Sequence, residues 1–350
     1  MRIRLFLVVA LAATTMSLVL SPVSHGQRNT HASKLVAALS QGKASFGISS
    51  GSGKDADTYR AAGKARAADK DVDFLFMSMA GMGQFNVANL KAYMQGLLDG
   101  GAVRTPPSHQ MLLRIPTWHE DPQGGQTRMS QALDAGVFTI MLPHVETAAE
   151  AAAAIGAMRY SNASTANGAP MGTRPNPVGD APSVWGVTAQ QYRQTADVWP
   201  LNPNGNLANV ILLESVDAIE KFRREITAVP GVSIAIPAPG DLRSAYTAAM
   251  FPNAGRGGGG GRGAAPAAGE AGARGARGGG LTADQQAQLT AKLEEAFAMQ
   301  MATCKELNVV CGITAGEQDI ERRVRQGFRF LIANSTEALR IGRAAAGRMD

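Results

Sequence analysis

The sequence predicts an α/β fold, a (β/α)8 TIM-type barrel, on three observations. Eight short apolar runs of strand length recur along it. Helical patterns separate most of them. Several runs are continuously apolar rather than alternating, as parallel strands covered on their outer face are. The runs are Phe46–Ser49, Val72–Met77, Met111–Ile115, Val137–Leu142, Asn209–Leu213, Val232–Ile236, Val309–Ile313 and Phe328–Ile332. Such alternation makes a closed barrel the leading architecture, with an open doubly wound sheet as the runner-up. Composition agrees. The chain is 45% hydrophobic but only 5% aromatic, and rich in Ala and Gly, which favours tight helix-on-strand packing over an aromatic-lined sandwich.

Taken in order, the chain opens on a signal-peptide pattern. Arg2 and Arg4 precede an apolar run from Leu5 to Leu20, then a small and polar stretch to Gly26. Cleavage after Gly26 puts Ser24 at the −3 position; the competing reading is an uncleaved anchor. The run is short for a span, which needs about 20 apolar residues. The expected products are a leader, 1–26, and a single barrel domain, 27–350, exported to the periplasm or secreted, with no stable membrane insertion.

Within that domain, Thr282 and Gln285 form a capping-box pattern, and Leu289, Leu293, Phe297 and Met301 then recur on one helical face. Gly327 reads as a helix stop and Ser335 as an N-cap. Two segments break the rhythm. Residues 161–208, rich in Asn, Pro and Gly with a helix near Thr188–Asp197, read as an elaborated loop at one βα position. Residues 254–280 hold 13 glycines in 27 residues and read as a disordered Gly/Arg-rich surface insertion between the sixth strand and its helix.

The formal charge of +6 is concentrated outside the folded body. The leader carries two of those charges and the Gly/Arg tract a net three, leaving the body near neutral. That gives no case for nucleic-acid binding. An RGG-like role for the tract is a third functional reading, tested by deleting it. Cys304 and Cys311 make no disulfide framework; they read as buried thiols, with a disulfide still open.

In such a barrel the chemistry sits at the C-terminal ends of the strands. Polar residues there are Ser49, Ser78, Arg114, His144, Glu214, Asp241, Thr314 and Asn334. Glu214 ends Val-Ile-Leu-Leu-Glu and Asp241 ends Ile-Pro-Ala-Pro-Gly-Asp, on consecutive strands, so both carboxylates can converge. Two hard oxygen ligands suit Mg²⁺ or Mn²⁺ better than Zn²⁺. The structural alternatives are a helix N-cap for Asp241 and a salt bridge for Glu214. Arg114 can pair with either acid, or stabilise the oxyanion of an enolate.

Several stretches resemble the HpcH/HpaI-type class II aldolases, in the citrate-lyase β-like group of barrels. They are Leu-Leu-Arg-Ile-Pro (112–116), Gln-Ala-Leu-Asp-Ala-Gly (131–136), Met-Leu-Pro-His-Val-Glu-Thr-Ala-Ala-Glu-Ala (141–151), Met-Arg-Tyr (158–160), Gly-Thr-Arg (172–174), Leu-Leu-Glu-Ser (212–215), Pro-Ala-Pro-Gly-Asp-Leu-Arg (237–243) and Gln-Gly-Phe-Arg-Phe (326–330). The resemblance implies Glu214 and Asp241 as metal ligands. It implies Arg114 as the residue that holds a 2-oxo acid, and the loop through Gly240 and Asp241 as the binder of its carboxylate. It implies reversible aldol cleavage of a 4-hydroxy-2-oxo acid, releasing pyruvate or an analogue, in a homo-oligomer (hexamer or trimer).

One departure stands out. Where the family carries an acidic pair and a histidine base after the second strand, this chain has Met77-Ser78-Met79-Ala80-Gly81-Met82-Gly83. His144 is the nearest replacement, and His119 the other. The competing function is an exported, non-catalytic barrel that binds a metal and a 2-oxo acid. Arg174 is a further candidate for contact with substrate or a neighbouring subunit.

Overall fold

The computed structural model describes residues 31–81, 83–252 and 280–348. Its eight strands are β1 (Ser45–Ser49), β2 (Phe74–Ser78), β3 (Met111–Arg114), β4 (Thr139–Leu142), β5 (Ala208–Leu213), β6 (Ile234–Pro237), β7 (Val310–Ala315) and β8 (Phe330–Ala333). All pair in parallel with their sequence neighbours. β8 closes on β1, with Ser45 opposite Phe330 and Ile48 opposite Ala333, so the barrel is complete and the open sheet is excluded.

The two faces of each strand divide the core. Phe74, Leu112, Met141, Val210, Ile234, Val310 and Phe330 cluster inside the barrel. Their neighbours Leu75, Leu113, Ile140, Ile211, Ala235, Cys311 and Leu331 pack outward against the helices. The rings of Phe74 and Phe330 stack inside at 4.8 Å. A β-carbon at Gly47 would stand 2.2 Å from the Phe74 ring, so β1 needs glycine there to make room for the pair.

The helix Lys34–Ser40 closes the N-terminal end of the barrel. Its Leu35, Val36 and Leu39 join the interior cluster. Each such side chain contributes roughly 1.5–3 kcal/mol on burial. Ser33 caps it at Val36, and the Ser33 amide donates to Asn206 at 3.1 Å. The Lys34 ammonium donates to the carbonyls of Val72 and Ser108.

The local signals hold. Thr282 and Gln285 form a capping box on helix Ala283–Leu307, whose Leu289, Leu293, Phe297 and Met301 are buried. Gly327 ends its helix at φ 102°, and Ser335 caps the last one at Ala338. Thr188 and Gln191 make a second capping box at the start of Ala189–Thr195. Cys304 and Cys311 are buried free thiols. Among the described residues no helix is long and apolar enough to cross a membrane.

Two positions differ from expectation. The segment after helix Ala148–Met158 runs to β5, so it is an αβ connection at the closed end and not a βα loop at the mouth. Its Trp185 stacks on Phe138, at the foot of β4, at 4.2 Å. Second, the helix after β6 starts at once, at Pro239, because proline at the first helical position costs no hydrogen bond. The Gly/Arg tract therefore falls between β6 and helix Ala283–Leu307, as expected, but with a further helix, Pro239–Met250, between the strand and the tract. The tract itself, except Gly280, and the expected leader, 1–26, lie outside the described residues.

Candidate active site

Period-two alternation carries side chains up the barrel interior to its C-terminal mouth. On β3, Leu112 points into the interior cluster and Arg114 follows two residues on. On β5, Val210 and Leu212 do the same and Glu214 follows. The acid and the guanidinium thus top two interior stacks. They meet at 3.8 Å, Arg114 Nη2 to Glu214 Oε1. That is an ion pair too long for a hydrogen bond.

Glu214 is only 2% exposed. Its Oε2 accepts the backbone N–H of His144 at 2.9 Å, and the His144 ring nitrogen Nε2 lies 3.3 Å away. Its Oε1 has no hydrogen-bond partner, and neither has Arg114 Nε, although both are buried. Burial pushes the Glu214 carboxyl up to about 8. Arg114 opposes the shift, while the charge and proximity of Asp241 add to it. Asp241 sits in the first turn of helix Pro239–Met250, whose N-cap is Ala238. Asp241 is therefore not the N-cap, and its carboxyl faces that of Glu214. No side chain caps this helix start, where the amides of Gly240 and Asp241 lie.

Arg114, His144, Glu214 and Asp241 come together as the sequence suggests. His144 adopts φ 48°, the left-handed region, and its ring is half-exposed at the mouth. His119 does not join them. It is exposed and pairs with Glu150 at 2.6 Å, which raises its pKa. Arg174 does not join them either: it lies at the closed end, 2% exposed, bonded to Asp134 and Tyr192 and stacked on Tyr160. Two residues near the mouth went unread. Glu146 accepts from Ser215 at 2.6 Å. The acid two places after His144, and the serine beside Glu214, were the available signals.

Among the described residues no three His, Cys, Asp or Glu side chains cluster as a complete metal site. The pair Glu214–Asp241 nonetheless fits a divalent cation. Its Oε1 is buried and unpartnered, both donors are hard oxygens, and Mg²⁺ takes one or two carboxylates while keeping water or substrate on its other positions. Clefts of about 470 and 530 Å³ lie elsewhere on the surface and contain none of these residues.

Residues 95–250 match the sequence profile of HpcH/HpaI aldolase/citrate lyase. A 2-dehydro-3,6-dideoxy-6-sulfogluconate aldolase of Pseudomonas putida is 34% identical over 116 residues, 33% of this chain and 39% of that protein. The match therefore spans well under half of that relative. Two solved structures share the fold. One is an HpcH/HpaI aldolase/citrate lyase family protein of Burkholderia cenocepacia, with TM-score 0.56 and 20% identity over 88% of this chain and 97% of that one. The other is an HpcH/HpaI aldolase of Desulfitobacterium hafniense, with TM-score 0.56 and 17% identity over 89% and 93%. The matched stretch runs from before β3 through β6 of the closed barrel, and over it the chain is similar to the HpcH/HpaI aldolase/citrate lyase family.

Proposed function

We propose that the protein is a divalent-metal-dependent carbon–carbon lyase of the class II aldolase type, cleaving a 4-hydroxy-2-oxo acid to pyruvate, or an analogue, and an aldehyde. The observation that carries this reading is the pairing of Glu214 with Asp241 beneath Arg114, with Glu214 Oε1 and Arg114 Nε both lacking partners. Glu214 and Asp241 would hold Mg²⁺ or Mn²⁺. Such a cation, when bound, supplies Lewis-acid polarisation of the 2-oxo group, so no Schiff-base lysine is required.

The remaining work falls to the chain. The amides of Gly240 and Asp241, at an uncapped helix N-terminus, receive the substrate carboxylate. Arg114, held at the end of β3, stabilises the negative charge that grows on the 2-oxo oxygen as the C3–C4 bond breaks. His144, whose Nε2 stands 3.3 Å from Glu214 Oε2, takes the 4-hydroxyl proton on this reading. C3 then collects a proton as pyruvate forms.

The test is release of pyruvate from a panel of 4-hydroxy-2-oxo acids with added Mg²⁺ or Mn²⁺, followed by coupled reduction to lactate. Turnover lost in Arg114→Lys, Glu214→Gln and Asp241→Asn supports the proposal. Absence of turnover across the panel, despite bound metal, sinks it. A second reading is favoured by Met77–Gly83, the run closing β2 with no acid or histidine. On that reading the chain is an exported, non-catalytic binder of metal and 2-oxo acid. Calorimetry with pyruvate or oxalate separates the two, since binding without turnover supports the binder.

A further inference from the structure

His144 has a main-chain duty as well as a side-chain one. Its N–H donates to Glu214 Oε2 at 2.9 Å, and it does so from a backbone at φ 48°. A non-glycine residue there carries roughly 1–2 kcal/mol of strain. Such a conformation persists only where its surroundings over-determine it.

The surroundings can be named. Val145, next in sequence, is fully buried. Glu146 is held at both of its ends. Its N–H donates to Glu150 Oε2 at 2.8 Å, and its Oε2 accepts from Ser215 Oγ at 2.6 Å. Ser215 is itself fixed, because its Oγ also accepts the Ala218 N–H at 3.0 Å. Glu150 is fixed in turn by His119 at 2.6 Å. Ser215 directly follows Glu214, and Glu146 stands two residues beyond His144. The Ser215–Glu146 bond therefore ties together the two loops that bear the acid and the amide gripping it.

The geometry points to Glu146 and Ser215 as positioning residues: their bond clamps the loop after β4 to the loop after β5, so that the His144 amide occupies one oxygen of Glu214 and the other stays free toward Arg114 and Asp241. Neither residue touches substrate in this arrangement; both act through His144 and Glu214. The consequence for a cation rests on the lyase reading above, whereas the clamp does not.

Two measurements on the full-length protein test it. The first is amide hydrogen exchange of residues 143–147 without metal. The second is a Mn²⁺ titration read by water-proton relaxation. Glu146→Ala and Ser215→Ala are expected to speed exchange at the His144 amide and weaken Mn²⁺ binding about tenfold, the lower end for loss of a ligand-orienting partner. Glu146→Gln is expected to restore both, because its amide oxygen still accepts from Ser215. If Glu146→Ala does not fold, Ser215→Ala decides. Exchange in the alanine variants matching that of the parent overturns the clamp, whatever the metal does. Faster exchange in a protein whose parent binds no Mn²⁺ leaves the clamp standing and removes the lyase reading instead.

Discussion

Glu214 holds its proton far more tightly in the folded chain than in water, at about 8 against an ordinary 4.5. Burial is the main cause, Arg114 offsets part of it, and Asp241 adds to it. The sign follows from linkage. A carboxyl whose folded value is raised stabilises the fold fully below pH 4.5, and that contribution is lost as pH rises through 8. Without a cation, the melting temperature should therefore fall across pH 4.5–8, by an amount on the order of a few kcal/mol in stability. Glu214→Gln should flatten this slope; thermal melts in chelator at several pH values check it, and an unchanged slope assigns the effect to another group. Arg114, Glu214 and Asp241 were legible because each charged residue directly follows an apolar run, where packing gives it no reason to be. Glu146 and Ser215 were not, because their meaning lies in a bond between loops 69 residues apart. His144 was legible as a side chain but not as a backbone donor, since a sequence does not display φ.

Strands are set by the same logic one level up. All eight were readable to within two residues. The errors lean one way: Val72, Val137, Val232 and Phe328 are buried and apolar but stand just before the ladder begins. Apolar runs report burial, and burial starts before pairing does. The ends of the barrel were harder to read. Nothing in 161–208 says whether it lies at the mouth or the floor until the helix Ala148–Met158 is placed before it. At this scale Gly47 makes a sharp prediction. Gly47→Ala would drive a methyl into the Phe74 ring and should cost about 1–3 kcal/mol, as overpacking does. Pairing it with Phe74→Leu should recover much of the loss in a denaturant titration, because the two changes share one space. Glu294 makes another. It links helix Ala283–Leu307 to helix Ile320–Gln326, accepting from Arg323 at 2.6 and 2.8 Å and from Arg322 at 2.9 and 3.2 Å. These bonds, Arg323's first, pull its carboxyl down to about 2. A lowered carboxyl stabilises above pH 4.5 and loses that contribution as pH falls toward 2. The side chain is 35% exposed, so solvent screening limits the effect to under about 1 kcal/mol. Glu294→Gln should lower stability at neutral pH by that small amount, leave the acid end unchanged and so shallow the acid limb of a pH-unfolding curve.

At the scale of the whole molecule, closure leaves the barrel with no free sheet edge and two unlike ends. The polar residues after the strands meet at one. The other is filled by Leu35, Val36 and Leu39, on a helix that the chain lays down before its first strand. Closure itself was legible from eight alternating elements, but the helix beneath was not, because seven residues are too few for a periodic signal to separate floor from wall.

That small helix sets how far the front of the polypeptide can be shortened. A proteolytic cut after Gly26 spares it by seven residues, leaving Ser33 and its bond to Asn206 in place. Removing residues 1–40 would strip the stopper away and let water into the hydrocarbon interior. A product starting at residue 31 should melt cooperatively, while one starting at 41 should bind a hydrophobic dye and lose its sharp transition. The margin between a tolerated cut at the front of the polypeptide and one that unseals the barrel is therefore narrow.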